Sequence, residues 1–112
     1  MTRLFEDIAN LDRLIHEPSR LAILTALSAC ESADFTFLRR LTGMTAGNLS
    51  SHIGKLEENG YVIVEKAFVD NRPNTTVKIS KTGLNAINQH WQQLKALWEQ
   101  SGNINLGEQT DG

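Results

Sequence analysis

Two short helical patterns lie almost end to end in the middle of this chain. FTFLRRLT places Leu38 and Leu41 three residues apart, and Leu49, Ile53 and Leu56 follow at spacings of four and three. Only Gly43, Met44 and Thr45 separate the two runs. A glycine at that point suits the left-handed residue that ends a helix, and Thr45 suits the N-cap of the next. Two helices joined so tightly must turn sharply and pack against each other. The chain is therefore constrained to a helix-turn-helix corner over about residues 35–59.

The flanking segments complete the pattern. Leu4, Ile8, Leu11 and Ile15 predict a first helix over residues 3–15. Pro18 opens a second, whose Leu21, Ile23, Leu24 and Leu27 make it broadly apolar and central to the core. A very short strand is expected at Phe35, just before the third helix. After Asn59-Gly60 the period changes. YVIVEKAFV and TTVKIS are β-rich runs joined by DNRPN, which predicts a hairpin over about 61–80 with its tip near 70–74. Ser80 then caps a last helix bearing Leu84, Ile87, Trp91, Leu94 and Trp98. The expected fold is mainly α with a small β-hairpin: helix, helix, short strand, helix, helix, hairpin wing, helix. The 112 residues suit one domain over 1–100, with 101–112 as a flexible tail.

Composition narrows the chemistry. The chain holds no 18-residue apolar run, no secretory h-region and one cysteine, Cys30, which together predict a reducing, cytoplasmic setting and no membrane partner. Cys30 is expected to be a small buried hydrophobe. His16, His52 and His90 are widely separated and no paired-cysteine spacing occurs, so neither a metal nor another cofactor is assigned. No G-x-S-x-G, phosphate-cradling glycine loop or carboxylate–histidine arrangement points to an enzyme. The net charge of −2 is unevenly spread. Residues 35–81 carry seven basic and four acidic side chains, an excess of +3, while the remainder carries −5. A middle segment of that kind permits a basic face, and phosphate responds to the local field.

HEPSRLAIL, FTFLRRLTGMTAGNLSSHIGKLEENGYV and FVDNRPNTTVKISKTG, in this order, resemble the winged helix-turn-helix transcriptional regulators of the ArsR/MarR kind, in particular small stand-alone winged-helix DNA-binding domains. The likeness spans about residues 8–98. It implies a dimeric regulator of double-stranded DNA, a repressor by preference, with the helix over about 45–59 in the major groove and the wing tip on the minor groove.

That reading accounts for a peculiarity of the fourth helix. The face opposite Leu49, Ile53 and Leu56 holds Gly47, Asn48, Ser51, Gly54 and Lys55. Glycine costs a helix interior roughly 1 kcal/mol relative to alanine. Small residues let a backbone approach phosphates closely, and short polar ones can meet base edges. Candidate contacts are Thr45, Gly47, Asn48, Ser51, His52 and Lys55 on this helix, and Arg72 at the wing tip, unless Arg72 pairs with Asp70. Lys66 and Lys78 on the hairpin are weaker candidates. At least one of Arg39 and Arg40 is expected to face phosphate. Arg20 has two open partners, a phosphate or an acidic neighbour such as Glu17.

The stripes of the first and last helices exceed what a three-helix core can cover. Leu4, Ile8, Leu11, Ile87, Trp91, Leu94 and Trp98 are accordingly expected at a two-fold dimer interface. A small-molecule effector between the dimer helices is compatible with such a family, although no residue argues for one. The competing reading is a winged-helix adaptor that docks a protein partner and no DNA, and the acidic overall charge favours it mildly.

Overall fold

The computed structural model describes residues 2–102. Five helices and a three-stranded sheet follow in the order α1 (Thr2–Ala9), α2 (Pro18–Ser28), β1 (Ala33–Asp34), α3 (Phe35–Thr42), α4 (Ala46–Glu58), β2 (Val62–Val69), β3 (Arg72–Ile79) and α5 (Lys81–Ser101). The sheet is antiparallel with β3 in the centre, flanked by β1 and β2. This is the winged helix fold that the sequence pattern anticipates.

Side-chain caps set most of the boundaries. Glu17 accepts the Arg20 N–H at the start of α2, with Pro18 in the first turn where its missing N–H costs nothing. The Asp34 carboxylate accepts from the Phe37 N–H, Thr45 Oγ1 from the Asn48 N–H, and Ser80 Oγ from the Gly83 N–H. Gly43 sits at φ 71°, the left-handed conformation that closes α3.

One core unites the elements. Ile23, Leu24 and Leu27 of α2 meet Leu38 of α3, Leu49, Ile53 and Leu56 of α4, Val62 and Val77 of the hairpin, and Ile87 of α5. A smaller second cluster joins Leu4 and Leu11 to Leu97, with Leu94 packed on it. It ties the N-terminal segment to the far half of α5, a helix about 31 Å long at 1.5 Å per residue.

Several local expectations are revised. The first helix ends at Ala9 rather than Ile15. The Asp12 carboxylate takes the Leu14 N–H at 2.9 Å, a local bond that competes with helix continuation. Leu11 and Ile15 still reach the interior, from turns instead of a helix. Phe35 begins α3, and the short strand lies before it. Leu41, expected inward, is 55% exposed because Leu38, with Phe35 packed beside it, fills the α3 share of the core. Cys30 is exposed, since α2 ends before it. The hairpin tip is tighter than expected: Asp70 and Asn71, at φ 53° and 62°, form a two-residue loop of the type I′ kind. Arg72 and Pro73 already belong to β3, paired with Val69 and Phe68. Ser101 closes α5, and residues 103–112 of the expected tail lie outside the described residues.

A histidine pair secures the loop between α1 and α2. His16 Nδ1 lies 3.1 Å from His90 Nε2 of α5, so one ring donates and the other accepts. His90 is buried. Burial and then the charge of His16 lower its pKa below the ordinary 6.5, with Asp12 opposing them. The folded chain thus holds this proton less tightly than the unfolded chain. The stability His90 contributes is complete above pH 6.5 and is lost as pH falls through its lowered folded value. Urea denaturation followed from pH 7.5 to 5.5 is expected to show a falling midpoint. In His90→Gln the fall should be shallower.

Gly83 is needed by the fold itself. A Cβ there would overlap the carbonyl of Tyr61 and press on Ile79 Cγ1. The same Tyr61 carbonyl accepts the Ser80 N–H at 3.0 Å, which fixes the hairpin against the start of α5. Gly83→Ala is expected to cost about 2 kcal/mol or more, read as a lower denaturation midpoint.

Candidate nucleic-acid interface

The α4 face opposite the core is uncovered. Ala46, Gly47, Asn48, Ser51 and Lys55 are all exposed, and Gly54 is half-buried at its edge. Neither helical glycine is required by packing. A Cβ built at Gly47 or Gly54 meets nothing within 4 Å among the described residues. The contrast with Gly83 is sharp: there a neighbour excludes a side chain, and here no described residue does. Thr45 Oγ1, although it accepts the Asn48 N–H at 3.1 Å, keeps its own hydrogen free to donate outward. Glu58 lies one turn beyond Lys55 near the end of the same side, and Glu57 borders the wing. The acidic groups gather at the C-terminal end, which leaves the first two turns of α4 as the part suited to a polyanion.

The wing extends this face. A groove of about 300 Å³ runs between α4 and the hairpin, lined by Ser50, Gly54 and Glu57 on one side and Val64, Lys66 and Thr75 on the other. Lys66 is exposed and opens onto it. Lys78 points to the other face of the sheet and pairs with Glu65 at 3.2 Å, so it is the less available of the two lysines. Arg72 is exposed and its side chain has no hydrogen bond or ion pair among the described residues, so the alternative pairing with Asp70 does not form. Arg39 and Arg40 are both exposed and likewise unpaired among the described residues.

Two other candidates turn inward. Arg20 is buried, with its Nε donating to the Leu14 carbonyl at 2.6 Å and NH2 to the Arg13 carbonyl at 3.4 Å. Its NH1 lies 3.1 Å from His52 Nδ1. Since guanidinium can only donate, His52 accepts there through Nδ1. Glu17 Oε2 stands 4.0 Å from NH1 and 3.7 Å from His52 Nδ1. Burial raises the Glu17 pKa, but the N–H groups of Arg20 and Ser19 and the charge of Arg20 outweigh it and hold the carboxyl below its usual value. Of the two partners open to Arg20, the acidic neighbour is the one it takes. The cluster ties the loop before α2 to the flank of α4, and His52 serves that link more than the outer face. Sequence spacing gave no sign of it, because 32 positions separate Arg20 from His52.

These features decide the chain's kinship, because residues 19–98 match the family described as the winged helix DNA-binding domain. The chain belongs to that family. An uncharacterised protein of Methanocaldococcus jannaschii is 34% identical over 71 residues, which are 63% of this chain and 77% of that one. A solved transcriptional regulator homologue from Pyrococcus horikoshii is 33% identical, with a TM-score of 0.78 over 88% of this chain and 96% of the other. A mutant MarR of Escherichia coli shares the fold at 20% identity, with a TM-score of 0.70 over 98% of this chain and 79% of its own. The chain is thus a winged helix DNA-binding domain, and its fold is one that MarR shares. Among its described residues no helix is long and apolar enough to cross a membrane, and no three His, Cys, Asp or Glu side chains converge as a metal site would require.

The dimer candidates divide. Ile87 belongs to the main core, and Leu4 and Leu11 are buried in the second cluster, so these three are satisfied within one chain. Leu94 is half-buried beside them. Trp91 donates its Nε1–H to Thr25 Oγ1 at 2.9 Å and keeps part of its ring exposed. Ile8 and Trp98 remain outside, the latter 79% exposed, and Phe5 joins them. The sequence pattern missed Phe5 because it lies off the Leu4–Ile8–Leu11 stripe, on the flank that α5 leaves uncovered.

Proposed function

We propose that this domain acts as a homodimer that reads a specific duplex DNA site and represses transcription from it. The observation that carries the reading is the pair of helical glycines on α4, Gly47 and Gly54, which face open space that the protein itself does not use. Each sacrifices helix propensity, and neither relieves a clash. A body that must approach the backbone closely accounts for both, and a major-groove wall lined with phosphates is such a body. Thr45, Asn48, Ser51 and Lys55 then supply hydroxyl, amide and ammonium groups to phosphates and base edges. Arg72 on the wing reaches the neighbouring minor groove, where negative potential is enhanced. Arg39 and Arg40 add phosphate contacts beside the turn.

The two-fold partner covers Phe5, Ile8 and Trp98. These are large apolar side chains on a thin two-helix layer, the kind of surface that a second copy removes from water. Paired recognition helices would then stand about 34 Å apart, one turn of the duplex. A dimer whose contacting surfaces serve only DNA and itself acts by occupying its site, which is repression.

Fluorescence anisotropy against selected genomic duplexes, titrated with KCl, tests the reading. Affinity should fall steeply as salt rises. Failure to bind any duplex at low salt would transfer the case to the protein-adaptor reading. Replacing either glycine separates the fold from the function. Gly47→Ala and Gly54→Ala should each stabilise the chain by about 0.5–1 kcal/mol and yet weaken duplex binding. A gain in both properties would remove the close-approach argument. Sedimentation of Trp98→Ala should show a shift from dimer towards monomer, with the circular dichroism of the folded domain retained.

A further inference from the structure

The wing tip carries an apolar pair that none of the contacts above uses. Phe68 is 77% exposed, the second most exposed large hydrophobic side chain among the described residues, and it sits two positions before the turn. It is not there for want of structure. Asp70 and Asn71 hold a two-residue turn that fixes the hairpin register up to its end. In a two-residue hairpin the closing pair, here Val69 and Arg72, exchanges the backbone hydrogen bonds, and the next pair does not. Phe68 and Pro73 form that next pair. Pro73 therefore gives up no ladder bond, and its ring lies at the closer of the two cross-strand spacings to Phe68.

Strand alternation sets the side on which the pair stands. Val62 and Val64 of β2 face the core, Lys66 opens onto the groove beside α4, and Phe68 is next on that face. The opposite face carries Glu65, bonded to Lys78. Val64 and its partner Val77, which is wholly buried, are anchored in the core, and Phe68 lies four residues further out. At about 3.3 Å per residue it stands about 13 Å from that anchor and about 7 Å beyond Lys66, which still lines the groove beside α4. The tip thus extends past the body of the domain, with Phe68 on the side that faces α4, Lys66 behind it on that same face, and Arg72 across the tip on the opposite face, paired with Val69.

We infer that Phe68, braced by Pro73, is the apolar anchor of the wing in the DNA minor groove, where it packs on the sugars or wedges a base step while Arg72 supplies the charge. This inference rests on the duplex-binding reading above. A polyanionic duplex fits a tip that carries Lys66 on the face of the ring and Arg72 on the other, and the minor groove, about 7.5 Å deep, lies within reach of the overhang. Apolar wedges of this type act where unstacking is cheapest, so flexible pyrimidine–purine steps are preferred beside the major-groove site.

The test uses the full chain and a 30-base-pair duplex selected by the wild type from a random pool, with binding read by anisotropy over a KCl series. Phe68→Ala should weaken binding about tenfold and leave the slope of log K against log salt unchanged, because no counterion release is lost. Arg72→Ala should instead flatten that slope by about one. Phe68→Leu should restore most of the affinity. Hydroxyl-radical cleavage should show minor-groove protection beside the α4 site in the wild type and lose it in Phe68→Ala. The ring is exposed, so the thermal midpoint should stay where it is. Equal affinity of Phe68→Ala and wild type would overturn the inference and leave duplex binding standing. So would a Phe68→Ala chain whose dimer dissociates without DNA, which would place a second copy over the tip. A wild type that selects no duplex would defeat both readings.

Discussion

Burial of Leu49, Ile53 and Leu56 against α2 is the constraint on which the rest of this molecule depends. Leu49 and Leu56 are fully enclosed, and Ile53 nearly so, among Ile23, Leu24 and Leu27. A helix that commits one face so completely has no freedom to rotate, and whatever occupies the opposite face must look outward. The tight turn through Gly43 then fixes where α4 begins, and Thr45 caps it there. Orientation of the reading face is therefore a consequence of hydrophobic packing, with no polar contact needed to aim it.

Polar contacts act at the margins of this packing. The Glu17–Arg20–His52 cluster sits beside α4 and gathers the carbonyls of Leu14 and Arg13 as well. A buried guanidinium is tolerated because each of its nitrogens finds a partner. His16 and His90 make a second link between the same loop and α5. The non-helical stretch after α1 is thus pinned at two points, one to α4 and one to the helix that carries the exposed tryptophans. The two proposed surfaces, one for duplex and one for a second copy, share this segment as a common support.

Glycine illustrates how position decides meaning. At Gly43 the backbone itself demands it, through a positive φ. At Gly83 the carbonyl of Tyr61 leaves no room for a side chain. At Gly47 and Gly54 neither reason applies, and the missing Cβ has value only to something outside the chain. Phe68 makes the complementary case: a large side chain placed where the chain offers it nothing but Pro73. Cost without internal benefit, in opposite senses of size, marks the two parts of the proposed interface.

The helix-turn-helix, the hairpin and the caps at Thr45 and Ser80 were legible from the sequence because each rests on local chemistry, on apolar period, turn residues and the hydroxyls that satisfy first-turn N–H groups. The exposed face of α4 was legible for the same reason, since a 3.6-residue repeat names the buried side and leaves the other by subtraction. What the repeat could not give was the fate of side chains whose partners are distant in sequence. Arg20 turned inward to Glu17 and His52, Ile87 joined the main core, Leu41 lost its place to Leu38, and the first helix yielded to a bond from Asp12. Those outcomes depend on which surfaces meet after folding, and amphipathic spacing reports only that a surface seeks cover. The sequence alone determined which elements form and which face each one hides; the tertiary structure decided what covers that face, and so which charged and apolar groups remain free for a partner.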